Sequence, residues 1–522
     1  MVLAGLLSIA RPGRALPTSI AAEGIDALRL HGKPYHLTGA KIAIGQVEIG
    51  RPGQFGLDKW AYEYMPVAVH RVLWLDRWAS SDDYVDGHAA NVASVMISRD
   101  KGYPGVAPDA LLYAAAIGEL GEGSSQPQEC LATQAVASQN GGDVRAINFS
   151  FGEPLSRDPR PQPRLDGNAL LTQCIDWSSR VHQTLYVVAG NQGRGGIPIP
   201  TDNFNGINVA YSRRVAGVFS KIDFANLGSE PTVRSPRSPV LETNEGPRRS
   251  INLVAPGSDI RLIDPDGRIK ISSGTSFAAP HVVGTVALLQ QLVDRQVRAG
   301  LERASLDGRH PLVMKAVLLN SADKLQDQGD GQRLGMGRTL VDTYNRTWVD
   351  SDAYQDRAIP LHRELGTGHL NAYRAYQQFL PGGWGPGPVP VVGWHYRAAP
   401  AVEGGRFQDY RFTDPLQAGS YLSATLTWQR RVELIDTNGN GSYDLGEEFR
   451  ASPLANLDLY LLPADADDLS QSVWSSTSQV DSVEHIFHPI PKTGFYKLRV
   501  VYPSSPSAES YALAWWARSA RP

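Results

Sequence analysis

The sequence predicts an α/β protein: a mostly parallel sheet flanked by helices, followed by a small antiparallel β-sandwich domain. Three observations predict it. From about Gly39 to Leu380, short apolar runs alternate with helical patterns, and that alternation lays parallel strands side by side with helices on both faces. Leu380 to Pro390 reads LPGGWGPGPVP, which continues neither a helix nor a central strand and serves as a linker. Beyond it the apolar pattern has period two, as in an antiparallel sandwich.

The elements follow in order. Residues 1–38 form an N-terminal segment whose start, Met1 to Ala10, is apolar like the core of a secretion signal but has no basic residue ahead of it. A signal remnant and an arm packed on the body both fit. Residues 39–380 form the α/β domain. Lys41 to Glu48 (KIAIGQVE), Ala110 to Ile117 (ALLYAAAI), Val144 to Ser150 (VRAINFS) and Thr184 to Ala189 (TLYVVA) are apolar runs of strand length. Ile207 to Tyr211 and Ile251 to Val254 are further strands. Helical patterns cover Asn91 to Ser98, Glu129 to Gln139, Asn168 to Val181, Ser276 to Leu292 and Pro311 to Ala322. Residues 381–390 are the Pro/Gly linker. In residues 391–522, Tyr421 to Trp428 (YLSATLTW), Leu457 to Leu462, Glu484 to His488 and Tyr496 to Val501 alternate as half-buried strands.

A chain of 522 residues suggests two or three domains, and 42% hydrophobic residues suffice for their cores. Fifty Lys and Arg against 53 Asp and Glu argue against nucleic acid or an anionic membrane as partner. No apolar run reaches bilayer length. The two cysteines, Cys130 and Cys174, fall in helices flanking one strand; a bridge and two separate buried thiols both fit.

Chemistry enters at Ser273-Gly274-Thr275-Ser276-Phe277-Ala278-Ala279-Pro280-His281-Val282-Val283-Gly284. Ser276 falls in the first turn of a buried helix, beside unpaired N–H groups that can hold a developing oxyanion. A serine nucleophile needs a base, and the base needs a carboxylate to orient it. His88, in Asp86-Gly87-His88-Ala89-Ala90-Asn91-Val92-Ala93-Ser94, is the base candidate, and Glu48, ending the first strand, is the acid candidate. Asp58, Asp76 and Asp86 are fall-back carboxylates. Asn191, in Val188-Ala189-Gly190-Asn191-Gln192-Gly193, follows a buried strand and is the oxyanion-donor candidate.

These segments resemble the motifs of the subtilisin-like serine proteases (subtilases, peptidase family S8), and the order Glu48, His88, Asn191, Ser276 is that family's order. The resemblance covers roughly Gly39 to Phe379. It departs from the family at Ala89, Ala90 and Asn91, and at Glu48, where the family has aspartate; Ser-His-Glu triads are known. It implies a subtilisin-like fold, a secreted or envelope location, a monomer and an endopeptidase acting on peptides or proteins. In that family an extended substrate adds as a strand, here between Ser150-Phe151-Gly152 and the stretch around Glu119-Leu120-Gly121, with Phe151 bordering the first specificity pocket. The competing reading is a catalytically impaired homologue that binds peptides or scaffolds partners.

A second motif lies in the β domain. Asp436 to Glu447 (DTNGNGSYDLGE) fits D-x-[DN]-x-[DN]-G-x₅-E in full. Asp436, Asn438, Asn440, Ser442, Asp444 and Glu447 would wrap calcium, with Gly441 making the sharp turn. A hairpin turn rich in Asn and Gly that binds nothing is the alternative.

Overall fold

The computed structural model describes residues 19–118, 125–190, 198–221, 244, 246–398, 407–502 and 509–521. Among the described residues the α/β domain is organised on a ten-stranded sheet. Its parallel middle runs Ile207–Val215, Leu185–Ala189, Val144–Phe149, Ala43–Glu48, Leu111–Ala116 and Arg71–Trp74 in spatial order. The first of these in sequence, Ala43–Glu48, pairs with Leu111–Ala116 on one side and Val144–Phe149 on the other. Chain order reverses across it, and such a switch point leaves a crevice beyond the carboxyl ends of the strands.

Both sheet faces are covered, so the middle strands are buried from end to end. Gly87–Ile97 and Thr275–Arg298 pack together on one face, within a core that includes Ile44, Val92, Val187 and Val286. Gln126–Ala137 and Leu170–Val181 pack on the other, around Val47, Val136, Ile147 and Ile175. Thr275–Arg298 is long and apolar enough to cross a membrane, but it is buried almost throughout and is the domain's core helix. It lies close because Gly284 has no Cβ; one added there would sit 2.5 Å from Val106 Cβ. Of the two readings of the cysteines, the bridge is present: Cys130 and Cys174 join the helices of the second face.

Residues of the N-terminal segment that are described, Ile20, Ile25, Leu30 and Leu37, are buried in the first-face core; Met1 to Ala10 lies outside the described residues. The short antiparallel additions Arg77–Trp78 and Val218–Lys221, and the hairpin of Ile260–Ile263 with Ile269–Ser272, were not anticipated. The first and third are two to four residues long and partly exposed, too short for a period to show.

The C-terminal region is a sandwich of a five-stranded and a four-stranded sheet closed on a core that includes Tyr410, Trp428, Leu461, Leu498 and Trp515. Within 381–390, Gly387–Val389 forms an edge strand against Phe407–Phe412, where a proline costs no ladder bond. The expectation of half-buried strands changes. Residues 484–488 and Tyr496–Val501 are buried almost throughout, and Tyr421–Trp428 is buried on both faces rather than one. Its hydroxyl face meets the helix Pro311–Asn320: Ser423 and Thr425 donate to Asn320 Oδ1 at 2.9 and 3.1 Å, and Thr427 to the Leu312 carbonyl at 3.1 Å. Gln378 Nε2 continues the seam by donating to the Gly393 and Trp515 carbonyls at 2.9 and 2.8 Å. Small hydroxyls that look solvent-facing in sequence are the joint between the domains.

Candidate active site

Glu48 is the last residue of its strand and is 2% exposed. His88 enters from the next helix. That helix begins at Gly87, ahead of the expected Asn91, because Asp86 caps it by accepting from the Ala89 amide at 3.0 Å. His88 therefore lies in the first turn, and its Nδ1 is 3.3 Å from Glu48 Oε2. Gln46 Nε2 ties strand to helix by donating to the Ala89 carbonyl at 2.9 Å. Asn91, one of the departures from the family motif, anchors the helix instead to the unanticipated hairpin, donating to Asp264 Oδ1 at 2.7 Å.

Ser276 is the second residue of the helix Thr275–Arg298 and is half-buried. The Phe277 ring beside it packs against the His88 ring, centroids 5.7 Å apart, so the two helix starts converge. Ser276 is held to the end of Val144–Phe149 by a reciprocal pair. Its Oγ donates to the Ser150 carbonyl at 3.2 Å, and Ser150 Oγ donates to the Ser276 carbonyl at 2.9 Å. Asn148 Nδ2 in turn donates to Ser150 Oγ at 2.8 Å. Among the described residues the Ser276 hydroxyl bonds to that carbonyl and not to the imidazole.

The electrostatics of the pair are uneven. Burial raises the Glu48 carboxyl above its ordinary range, against the opposing pull of His88 and of the Ser150 backbone. Among the described residues Glu48 Oε1 is buried with no close hydrogen bond, the Ser150 backbone being the donor that pulls on the carboxyl. Burial alone would lower His88, but the Glu48 charge and contact, with Asp86 behind them, hold the imidazole above its ordinary value. A carboxylate that favours an imidazolium favours the state a base reaches after taking a proton.

The fall-back carboxylates are engaged elsewhere. Asp58 is paired with Arg51. Asp76 lies at the surface, 3.6 Å from Arg77. Asp86 is a helix cap. Of the expected substrate segment, Ser150 and Phe151 are buried and Gly152 is half-buried. Phe151 stacks on Phe149 at 5.1 Å within the second-face core. Asn191 and Glu119-Leu120-Gly121 lie outside the described residues. Gln46, Asn148 and Phe277 were missed as supports of the site. The signal available was a polar residue inside an apolar strand, at Gln46 and again at Asn148.

The motif Asp436 to Glu447 caps the hairpin of Val432–Ile435 and Glu448–Ala451. Asp436 accepts from the amides of Asn438, Gly439 and Gly441. Glu447 accepts from Thr437 and the Asp444 amide. Asn438 and Asn440 both aim their amides at Asp444 Oδ2, at 2.7 and 2.6 Å. Ser442 donates its amide to Asn440 Oδ1 at 2.6 Å. Among the described residues no three His, Cys, Asp or Glu gather to hold a metal by themselves. The donor set is nonetheless one a hard cation takes. An amide can turn about its last bond, which presents the Asn438 and Asn440 oxygens to the place that Asp444 already draws them. Gln134, on a helix of the α/β domain, pairs with both the amide and the carbonyl of Tyr443, at 2.8 and 2.6 Å, and so docks the loop.

Comparison with known proteins adds the following. The sequence profile described as the Subtilase family matches residues 73–337. An alkaline protease of Alkalihalobacillus alcalophilus is 25% identical over 208 residues, which are 40% of this chain and 45% of that protein. Subtilisin Savinase of Lederbergia lenta is 25% identical over 208 residues, 40% of this chain and 64% of that protein. The chain thus matches about half to two thirds of the length of these relatives. Among solved structures, the prenylagaramide maturation protease PagA aligns with a TM-score of 0.44 at 20% identity, covering 67% of this chain and 97% of that one.

Proposed function

The chain belongs to the subtilase family, and from that membership we propose that it is a serine endopeptidase whose triad is Ser276, His88 and Glu48. The observation that carries the proposal is the buried Glu48 carboxylate set 3.3 Å behind His88 Nδ1, at the carboxyl end of the switch-point strand. In the proposed reaction His88 Nε2 takes the Ser276 proton as Oγ attacks the peptide carbonyl. Glu48 stabilises the imidazolium that forms. The Ser276 backbone N–H and the Asn191 side chain hold the oxyanion. His88 then protonates the leaving amine, and water, activated by the same imidazole, releases the acyl group. The substrate would lie as an added strand along Ser150, Phe151 and Gly152.

For this to run, the Ser276 hydroxyl must leave the Ser150 carbonyl and swing to the imidazole. A neutral hydrogen bond of that kind contributes about 1 kcal/mol, a small fraction of a catalytic barrier. The same bond is the observation that favours the other reading, a peptide-binding homologue that does not turn over. A fluorophosphonate probe separates the two. The protein should be labelled and Ser276→Ala should not; absence of labelling in the unaltered protein would select the non-catalytic reading.

We further propose that Asp436, Asn438, Asn440, Asp444 and Glu447, with the Ser442 main chain, hold calcium as a structural ion remote from the chemistry. Because Gln134 fastens the loop to the α/β domain, chelation should loosen both domains. The expected result is a fall in melting temperature on adding EGTA that Glu447→Gln abolishes. For a site filled to about one hundred times its dissociation constant the change is about 2.7 kcal/mol. The Cys130–Cys174 bridge supports a secreted or envelope location, since disulfides persist in oxidising compartments.

A further inference from the structure

A cavity of about 940 Å³ opens at the seam between the two domains, away from the candidate active site. Arginines dominate its charge: Arg29, Arg338, Arg374, Arg518 and Arg521 line it, with Asp26 as the acid among the lining residues. Some of that charge is matched. Arg338 and Arg374 share the buried Asp323, at 2.7 and 3.2 Å. Arg29 lies 3.5 Å from Asp26, and Arg521 lies 2.9 Å from Asp414. Asp327, behind the lining loop, is occupied by the amides of Gly329, Gly331, Arg333 and Gly335.

What remains is a set of unmet donors. Arg374 is 2% exposed, and among the described residues its Nη2 is buried without an acceptor. Arg518 has no carboxylate partner among the described residues, and its Nη1 is likewise buried without an acceptor. A guanidinium N–H withdrawn from water and left unbonded is costly. The surroundings hold these groups in place. Arg374 is stacked over Trp516 with Cζ 4.3 Å from the ring centroid, and Arg29 over Tyr373 at 4.2 Å. Gly331, at φ 71°, leaves room for Arg518; a Cβ there would sit 2.8 Å from Arg518 Nη1.

We propose that this cavity is a binding site for a small polyvalent oxyanion of the phosphate type, which joins the α/β domain to the sandwich. Planar guanidinium forks match such oxyanions two bonds at a time. Arg29 and Arg374 come from one domain and Arg518 from the other, so an anion among them bridges the seam. Burial lowers Arg374 only to about 10, which leaves it cationic at neutral pH.

The test is calorimetric titration of the full chain with pyrophosphate, with orthophosphate and citrate as parallel arms, at constant ionic strength. Saturable binding of one pyrophosphate is expected, with orthophosphate weaker and citrate weaker still. Arg518→Ala should weaken pyrophosphate by about tenfold, the loss of one charge-assisted contact, and Gly331→Ala should weaken it by displacing Arg518. Arg518 is partly exposed, so its variant should melt cooperatively, and pyrophosphate should raise the melting temperature of the unaltered protein more than that of Arg518→Ala. Absence of saturable heat with both phosphates, equal affinity in Arg518→Ala, or citrate binding as tightly as pyrophosphate would each overturn the assignment.

Discussion

Two buried carboxylates lie ten residues apart in the sequence, each facing one cationic partner, and they are satisfied to very different degrees. Asp58 receives both arms of Arg51, at 2.7 and 2.8 Å, and two backbone amides, from Gln54 at 2.6 Å and Asp82 at 2.7 Å. Burial works to raise it, yet these partners hold it below the usual carboxylate range. Among the described residues Glu48 has one cationic neighbour, a contact of 3.3 Å, and an oxygen with no close donor beyond the pull of the Ser150 backbone, and it is held above that range. A fully bonded acid is a structural clasp. An acid short of partners stabilises whatever positive charge is made beside it, and here the group beside it is an imidazole that can acquire one.

That contrast can be broken at either end. Glu48→Gln keeps the shape and removes the charge. We expect it to lower kcat by about 10³–10⁴-fold while the melting temperature changes little, read by steady-state peptide hydrolysis and a thermal melt. Asp58→Asn should do the reverse. It leaves Arg51 buried without its counter-charge, which costs about 3–5 kcal/mol, and chemical denaturation should show that loss while kcat per folded molecule stays near that of the unaltered protein. A large kcat defect in Asp58→Asn, or a large stability loss in Glu48→Gln, would exchange the roles assigned to the two acids.

Most of what positions this site was legible in the sequence, for a physical reason. Strands buried on both faces leave unbroken apolar runs such as Leu111–Ala116 and Leu185–Ala189, and their alternation with helices determines the sheet. The early start of the His88 helix was less visible, because a cap such as Asp86 acts through one hydrogen bond and has no period. Tyr421–Trp428 misled because serine and threonine on alternate positions read the same whether they face water or another domain's helix. The direction of the Ser276 hydroxyl has no sequence signature; it depends on the Ser150 carbonyl, brought near only by the fold. The cavity arginines are spread from Arg29 to Arg521, too far apart for any local pattern to unite them.

The most direct test of the Glu48–His88 pair is the pH dependence of kcat/KM in the unaltered protein and in Glu48→Gln. The base must be neutral to accept the Ser276 proton, so activity rises as His88 loses its own. Because Glu48 holds His88 above its ordinary value, the rise in the unaltered protein should centre above about 6.5. Removing the charge should move that midpoint to lower pH along with the fall in rate. An unchanged midpoint in Glu48→Gln would show that the imidazole does not feel this carboxylate and would contradict the triad.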